Sequence, residues 1–176
     1  MATPPIDLRD YIREVPDFPQ PGVLFRDITP LLLDPAAYRY AVDKLTQRLR
    51  AYELDAIVGI ESRGFLFGAP VAYQLGLPFV PVRKAGKLPS ERMSVEFALE
   101  YGESQLDIHA DALSTGQRVA IVDDLLATGG TAEAAAKLVG LLGADVAVMA
   151  FVVELAFLSG RERLKDYETV ALTTYA

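Results

Sequence analysis

Four short apolar runs constrain this chain more than any other feature: AIVGI (56–60), FVPVR (79–83), RVAIVDD (118–124) and DVAVMAFVVEL (145–155). Stretches with helical period lie between them. One begins between Phe65 and Pro70 and ends at Gly76, a residue suited to a C-terminal cap. Another, 131–142, carries Ala135, Leu138, Val139 and Leu142 on one face and stops at Gly143. Apolar strands alternating with amphipathic helices build right-handed βαβ units, so the expected fold is α/β, a mostly parallel sheet flanked by helices. Ligands of such sheets bind beyond the carboxyl ends of the strands. The polar turns ESRG (61–64), RKAGK (83–87) and DDLLATGG (123–130) each follow a strand and are expected to meet on one edge.

The remaining segments are less regular. Residues 7–14 read as a short amphipathic helix, and the prolines and glycine of VPDFPQPG enforce an irregular, extended path. Residues 23–33, apolar but interrupted by Arg26, Asp27 and Pro30, read as a strand or loop packed on the core. A helix is expected over 35–52, with Pro35 in its first turn and Ala41, Val42, Leu45 and Leu49 at helical spacing. Pro81 weakens the strand over 79–83, whereas VEFALEY (95–101) alternates as a strand does. His109 reads as a surface residue in a polar, strand-like stretch. With 176 residues and no internal repeat, a single domain spanning 1–176 is expected.

Composition excludes several function classes. Seventeen basic against 24 acidic residues leave a net charge of −7, which argues against nucleic acid as a partner. Small phosphorylated ligands stay open, because a few local cations and backbone N–H groups suffice for them. The chain has no cysteine, so it has neither disulfides nor thiolate metal sites. The N-terminus lacks the apolar run of a signal peptide and no stretch is long enough for a membrane span, so a soluble, cytoplasmic protein is expected.

The segment Val122–Thr131, VDDLLATGGT, carries the most chemistry. A buried strand delivers Asp123 and Asp124 to its exposed end, and a glycine turn and a helix follow. Backbone N–H groups of such a turn and the helix N-terminus form an anion site, to which Thr128 and Thr131 add hydroxyl donors. Paired acids beside a phosphate site would repel phosphate, and sugar hydroxyls are their natural target. A lone acid before a glycine would be a helix cap and a turn, but the full ten-residue string favours the functional reading. A P-loop is excluded because no Gly-Lys-Ser or Gly-Lys-Thr closes the segment, and a dinucleotide site because G-x-G-x-x-G is missing.

The strand, acid pair and T-G-G-T turn closely resemble the signature of type I phosphoribosyltransferases. FPQPGVLFRDITPLL (18–32), GIESRGFLFG (59–68), VRKAGKLP (82–89), LEYG (99–102) and VVELAFLSGRERL (152–164) resemble segments of the adenine-specific branch of that purine family. The resemblance implies a type I phosphoribosyltransferase fold with a small N-terminal hood over about 1–34 and a flexible lid over about 83–97. It implies adenine and phosphoribosyl pyrophosphate as substrates, AMP and pyrophosphate as products, magnesium bound mainly through phosphoribosyl pyrophosphate, and a homodimer.

Roles follow residue by residue. By resemblance, Asp123 and Asp124 hold the ribose hydroxyls, and Ala127, Thr128, Gly129, Gly130 and Thr131 wrap the 5-phosphate. Ser62, Arg63 and Gly64 face pyrophosphate, with a non-prolyl cis peptide at Ser62–Arg63 or Glu61–Ser62. Arg83 and Lys87 belong to the lid, and an arginine such as Arg83 reaches across the dimer to pyrophosphate. Glu100 handles the purine proton and Tyr101 supports the lid. Leu24, Phe25, Arg26 and Leu155 face the base; Arg26 paired with Asp27 is the plainer reading of that arginine, and the two are compatible. The rival functions are transfer to another purine, xanthine or hypoxanthine, and a non-catalytic sensor of phosphoribosyl pyrophosphate.

Overall fold

The computed structural model describes residues 6–98 and 102–176. Its strands and helices are β1 Arg13–Pro16, β2 Leu24–Asp27, α1 Thr29–Leu33, α2 Pro35–Leu49, β3 Ala56–Ile60, α3 Arg63–Leu75, β4 Phe79–Lys84, β5 Arg92–Ala98, β6 Glu103–His109, β7 Arg118–Leu126, α4 Gly130–Leu141, β8 Asp145–Leu155, α5 Gly160–Arg163 and β9 Thr169–Tyr175. Among these residues, seven strands form one sheet in the order β5-β6-β4-β3-β7-β8-β9, and β1 and β2 form a separate hairpin. From β4 to β9 every pairing is parallel, while β6 and β5 add antiparallel at the other edge.

The four apolar runs became β3, β4, β7 and β8 because each is covered on both faces. Ile57, Ala120, Val122, Val148 and Ala150 point towards α2 and α3. Their neighbours Val58, Ile121, Met149 and Phe151 point towards α4. This two-residue alternation between two apolar layers explains why the strands read as continuous runs. Pro81 is tolerated in β4 because its outer neighbour β6 pairs only with Arg83 and Lys84. Gly76 and Gly143 take the left-handed backbone after α3 and α4, where a glycine stop was expected.

The N-terminal region departs from expectation. Residues 7–14 are not one helix: a single 3₁₀ turn over Leu8–Tyr11 gives way to β1. The cause is tertiary, since β1 pairs with β2 and sets Arg13 opposite Asp27 and Glu14 opposite Arg26. Of VPDFPQPG, Val15 and Pro16 close β1, and residues 17–23 form a tight loop to β2, held by Gly22 N–H donating to Asp17 Oδ1 at 2.8 Å and Phe18 N–H to the Val23 carbonyl at 3.2 Å. Residues 29–33, read as strand or loop, form the helix α1, to which the Asp27 carboxylate contributes by accepting the N–H and hydroxyl of Thr29 at 2.9 and 2.6 Å. The 83–97 segment is largely strand, being the end of β4, a turn and most of β5. His109 is not a free surface residue, for it ends β6 opposite Arg92, and its Nε2 is buried with no hydrogen-bond partner among the described residues.

Asp107, on β6, is fully buried and anchors this edge. Its carboxylate accepts from Gln105 Nε2 at 2.7 Å and Gly86 N–H at 3.2 Å, and pairs with Arg92 Nε at 3.3 Å. Burial pushes the carboxyl up, but bonds from Gln105, Ser94 and Gly86 and the charge of Arg92 outweigh it and hold the group below its ordinary value of 3.8. A carboxyl depressed in the folded state stabilises at neutral pH, and that contribution fades as pH falls through the ordinary value towards the lower folded one. Asp107→Asn is therefore expected to cost about 2 kcal/mol at neutral pH, since charge-assisted bonds are lost. In urea melts the deficit should begin to close below about pH 4; a deficit that stays constant into acid would contradict this account of Asp107.

Candidate active site

The register of the central strands brings the polar turns together. Gly59 lies opposite Val122, and Ile60 opposite Val82, so β3, β4 and β7 deliver Glu61, Lys84 and Asp123 to one edge. A cavity of about 470 Å³ opens there. Its walls are Glu61 to Arg63, Lys84, and the whole run from Asp123 to Thr131, with Phe97, Ser104 and Phe151 closing the sides.

Two helices begin at this cavity. Arg63 is the first residue of α3, and its Nε pairs with Asp124 Oδ2 at 2.7 Å. The helix start approaches so closely because residue 64 is glycine: a Cβ there would stand 2.8 Å from Asp123 Oδ1 and 2.9 Å from the Val122 carbonyl oxygen. Further along the run from Asp123, Gly129, in the left-handed region at φ 84°, turns the chain into α4. The first-turn N–H groups of a helix have no acceptor within it, and Gly130 and Thr131, the first two residues of α4, both line the cavity. The non-prolyl cis peptide is Glu61–Ser62, the second of the two positions expected.

The two aspartates differ in setting. Asp124 has a side chain only 5% exposed and is paired with Arg63. Asp123 is half-buried and lines the cavity; its Oδ1 accepts the Asp124 N–H at 2.9 Å. Burial, and then the adjacent charge of Asp124, push the Asp123 carboxyl well above its ordinary range. Hydroxyl donors or a cation in the cavity would relieve that strain on the ionised pair.

Arg83 and Lys87 converge on Glu61. Arg83 Nε lies 3.2 Å from Oε2 and Lys87 Nζ 3.1 Å from Oε1, while Lys84 N–H donates to Oε2 at 3.0 Å. Burial pushes Glu61 up, and these three donors outweigh it and hold its carboxyl below the ordinary range. Thus the two expected cations are held by Glu61, which itself lines the cavity and whose part in gathering them is not visible in the sequence.

The residues expected to face the base stand apart from this cavity wall. Leu24 is 43% exposed on β2, Phe25 is half-buried, and Leu155 is buried at the end of β8. Arg26 pairs with Glu14, not with Asp27, and its guanidinium lies 4.0 Å from the centre of the Tyr175 ring. Asp27 pairs with Arg13 instead, because hairpin register sets those two opposite each other. Arg63 joins the two regions, its guanidinium standing 5.7 Å from the Phe25 ring centre. Glu100 and Tyr101 lie outside the described residues. Phe97, Ser104 and Phe151 went unnoticed in the sequence, since only the pairing of β5 with β6 and of β7 with β8 carries them to the site.

A sheet with its acid pair, glycine turn and helix start at one edge defines a sugar-phosphate transferase of the α/β class, and comparison with known proteins agrees. Residues 32–174 match the family described as the phosphoribosyl transferase domain. The chain is 57% identical to an adenine phosphoribosyltransferase of a Synechococcus species over 170 residues, which span 97% of this chain and 99% of that protein. The crystal structure of adenine phosphoribosyltransferase from Thermoanaerobacter pseudethanolicus superposes with a TM-score of 0.93 at 53% identity, covering 96% of this chain and 98% of that one. The enzyme from Saccharomyces cerevisiae, solved with adenine and an imino-altritol bisphosphate, is 42% identical with a TM-score of 0.88, over 94% and 96% of the two chains. The chain belongs to the adenine phosphoribosyltransferase family of type I phosphoribosyltransferases.

Proposed function

We infer that the chain transfers the phosphoribosyl group of phosphoribosyl pyrophosphate to N9 of adenine, forming AMP and releasing pyrophosphate. The observation that carries this reading is the single cavity shared by the Asp123–Asp124 pair, the N-terminus of α4 and Arg63, in a chain matched over its length by adenine phosphoribosyltransferases. Asp123 and Asp124 accept the ribose hydroxyls, and the amides and hydroxyls of Ala127 to Thr131 hold the 5-phosphate. Pyrophosphate leaves before the bond to N9 is well formed, so positive charge builds on the ribose carbon. The acid pair lies near that charge, while Ser62, Arg63, Arg83 and Lys87 neutralise the departing group. Arg83 and Lys87 are already gathered by Glu61, which keeps two cations beside the cavity.

Glu100 manages the purine proton in this reading, with Tyr101 steadying the lid of residues 83–97. Leu24, Phe25, Arg26 and Leu155 form the base subsite beneath a hood of residues 1–34. Arg63 on Phe25 supports this assignment, since it ties the hairpin to the acid pair.

Among the described residues no group of three or more histidines, aspartates or glutamates could hold a metal alone. The acid pair supplies hard oxygen donors suited to part of a magnesium shell, the rest coming from water and the pyrophosphate group. Bound there, magnesium would offset charge on the pyrophosphate oxygens. A homodimer is supported by α3, which leaves Leu66 and Tyr73 exposed two turns apart, Tyr73 at 88%.

Turnover with competing bases tests the choice of adenine. The expected kcat/KM for adenine exceeds that for hypoxanthine or xanthine by about 10³ or more, because a site built around an exocyclic donor leaves its polar groups unpaired against a 6-oxopurine. Preference for a 6-oxopurine would overturn the assignment.

A further inference from the structure

The loop 126–130 is backed by the short segment 160–163, and glycine makes that contact possible. A Cβ on Gly160 would stand 2.3 Å from the Ala127 carbonyl oxygen and 2.9 Å from Leu126 Cδ1. Conversely, a Cβ on Gly129 would stand 2.8 Å from the Gly160 carbonyl oxygen. None of residues 160–163 lines the cavity. The two backbones therefore lie flush, and any shift of Gly160 is passed to Ala127 and Gly129.

The position of Gly160 is set by the next residue. Arg161 grips Glu154 with two parallel bonds, Nε to Oε1 at 2.6 Å and Nη2 to Oε2 at 2.9 Å, and its Nη1 donates to the Thr169 carbonyl at 2.7 Å. Glu154 has a side chain only 7% exposed and stands on β8 opposite Leu126, the last residue of β7. Thr174 on β9 adds a longer hydroxyl bond to Oε2 at 3.4 Å. The fork thus ties α5 to the same strand ends from which the loop departs.

We propose that Arg161 is a positioning residue for the 5-phosphate loop: its fork to Glu154 fixes Gly160, and Gly160 fixes the backbone of Ala127 and Gly129. This rests on the reading that residues 127–131 bind the 5-phosphate. Only a planar guanidinium supplies two parallel donors together with a third to Thr169, so lysine cannot replace it. The effect falls on the sugar-phosphate half of the reaction, since the loop, not the β1–β2 hairpin, is what Gly160 touches.

The test is calorimetric titration of ribose 5-phosphate into wild type, Arg161→Lys, Arg161→Met and Thr131→Ala, with KM measured for both substrates and thermal melting alongside. Both Arg161 variants are expected to weaken ribose 5-phosphate and raise KM for phosphoribosyl pyrophosphate about tenfold, as supporting residues behind a site commonly do. KM for adenine should stay within about twofold of wild type, the interaction with the base being untouched. If Arg161→Met does not fold, Arg161→Lys decides, since it keeps the charge and loses the fork. Lower melting with unchanged ribose 5-phosphate affinity would reduce Arg161 to a structural residue and overturn the proposal. Weakening by Thr131→Ala alone would overturn the proposal and leave the loop reading standing, whereas no weakening in any variant would overturn both.

Discussion

Asp124→Asn is expected to lower kcat/KM for AMP formation about a thousandfold, the scale seen when one preorganised electrostatic group is removed from a reacting centre. Asparagine fills nearly the same space but carries no charge, so the change removes the ion pair to Arg63 at 2.7 Å and half of the acid pair in the last residues of β7 before Leu126. Two losses combine. A ribose hydroxyl exchanges a charged acceptor for a neutral one, and Arg63 loses the partner that holds its guanidinium at the cavity wall. The fold should survive, because the Arg63 side chain is 46% exposed and can be rehydrated. The repulsion that raises Asp123 is also removed, so its carboxyl is expected to fall back towards the ordinary range, with burial still opposing. Steady-state kinetics beside a circular dichroism spectrum checks this. Near-normal activity in a folded variant would remove Asp124 from the chemistry.

Gly64→Ala should be nearly as damaging for a different reason. On helix propensity alone, alanine in the first turn of α3 would stabilise by about 1 kcal/mol. Packing decides the sign. The added Cβ would lie 2.8 Å from Asp123 Oδ1, 2.9 Å from the Val122 carbonyl oxygen and 3.1 Å from Asp123 Cα. Two of these atoms are backbone within a central strand paired on both sides, so α3 must retreat instead. The expected cost is about 2 kcal/mol of stability, within the usual range for overpacking. Activity should fall about a hundredfold, because Arg63 moves with its helix away from Asp124. Urea melts and kcat/KM together test the argument; a variant more stable than wild type with full activity would show that the approach of α3 to β7 is not tight.

These two residues also show what could be read from sequence and what could not. VDDLLATGGT is contiguous, so its acids, glycines and helix start were legible as one unit, and the structure keeps them as one wall of the cavity. Gly64 was legible as part of the ESRG turn that faces pyrophosphate by resemblance, but not as a position that admits no side chain. Its obligation comes from Asp123, some sixty residues away and adjacent only through the parallel pairing of β3 with β7. The same holds for Gly160 against Ala127, and for Glu61, whose hold on Arg83 and Lys87 depends on β4 lying beside β3.

The fold followed a similar rule. The central strands were legible because burial on both faces leaves continuous apolar runs, while edge elements leave weaker traces. β1, with the sequence REVP, has no strand pattern of its own and exists through its antiparallel pairing with β2. β9, over TVALTTY, is partly buried at a sheet edge and was not anticipated. α5 is four residues long, too short for a period to show.

The most direct test of the central claim is a time course of AMP and pyrophosphate formed from adenine and phosphoribosyl pyrophosphate in the presence of magnesium. Equal amounts of both products, with turnover dependent on adenine and about a thousandfold slower in Asp124→Asn, are the result expected. Pyrophosphate released without AMP, or no turnover of adenine by the folded wild-type chain, would contradict it.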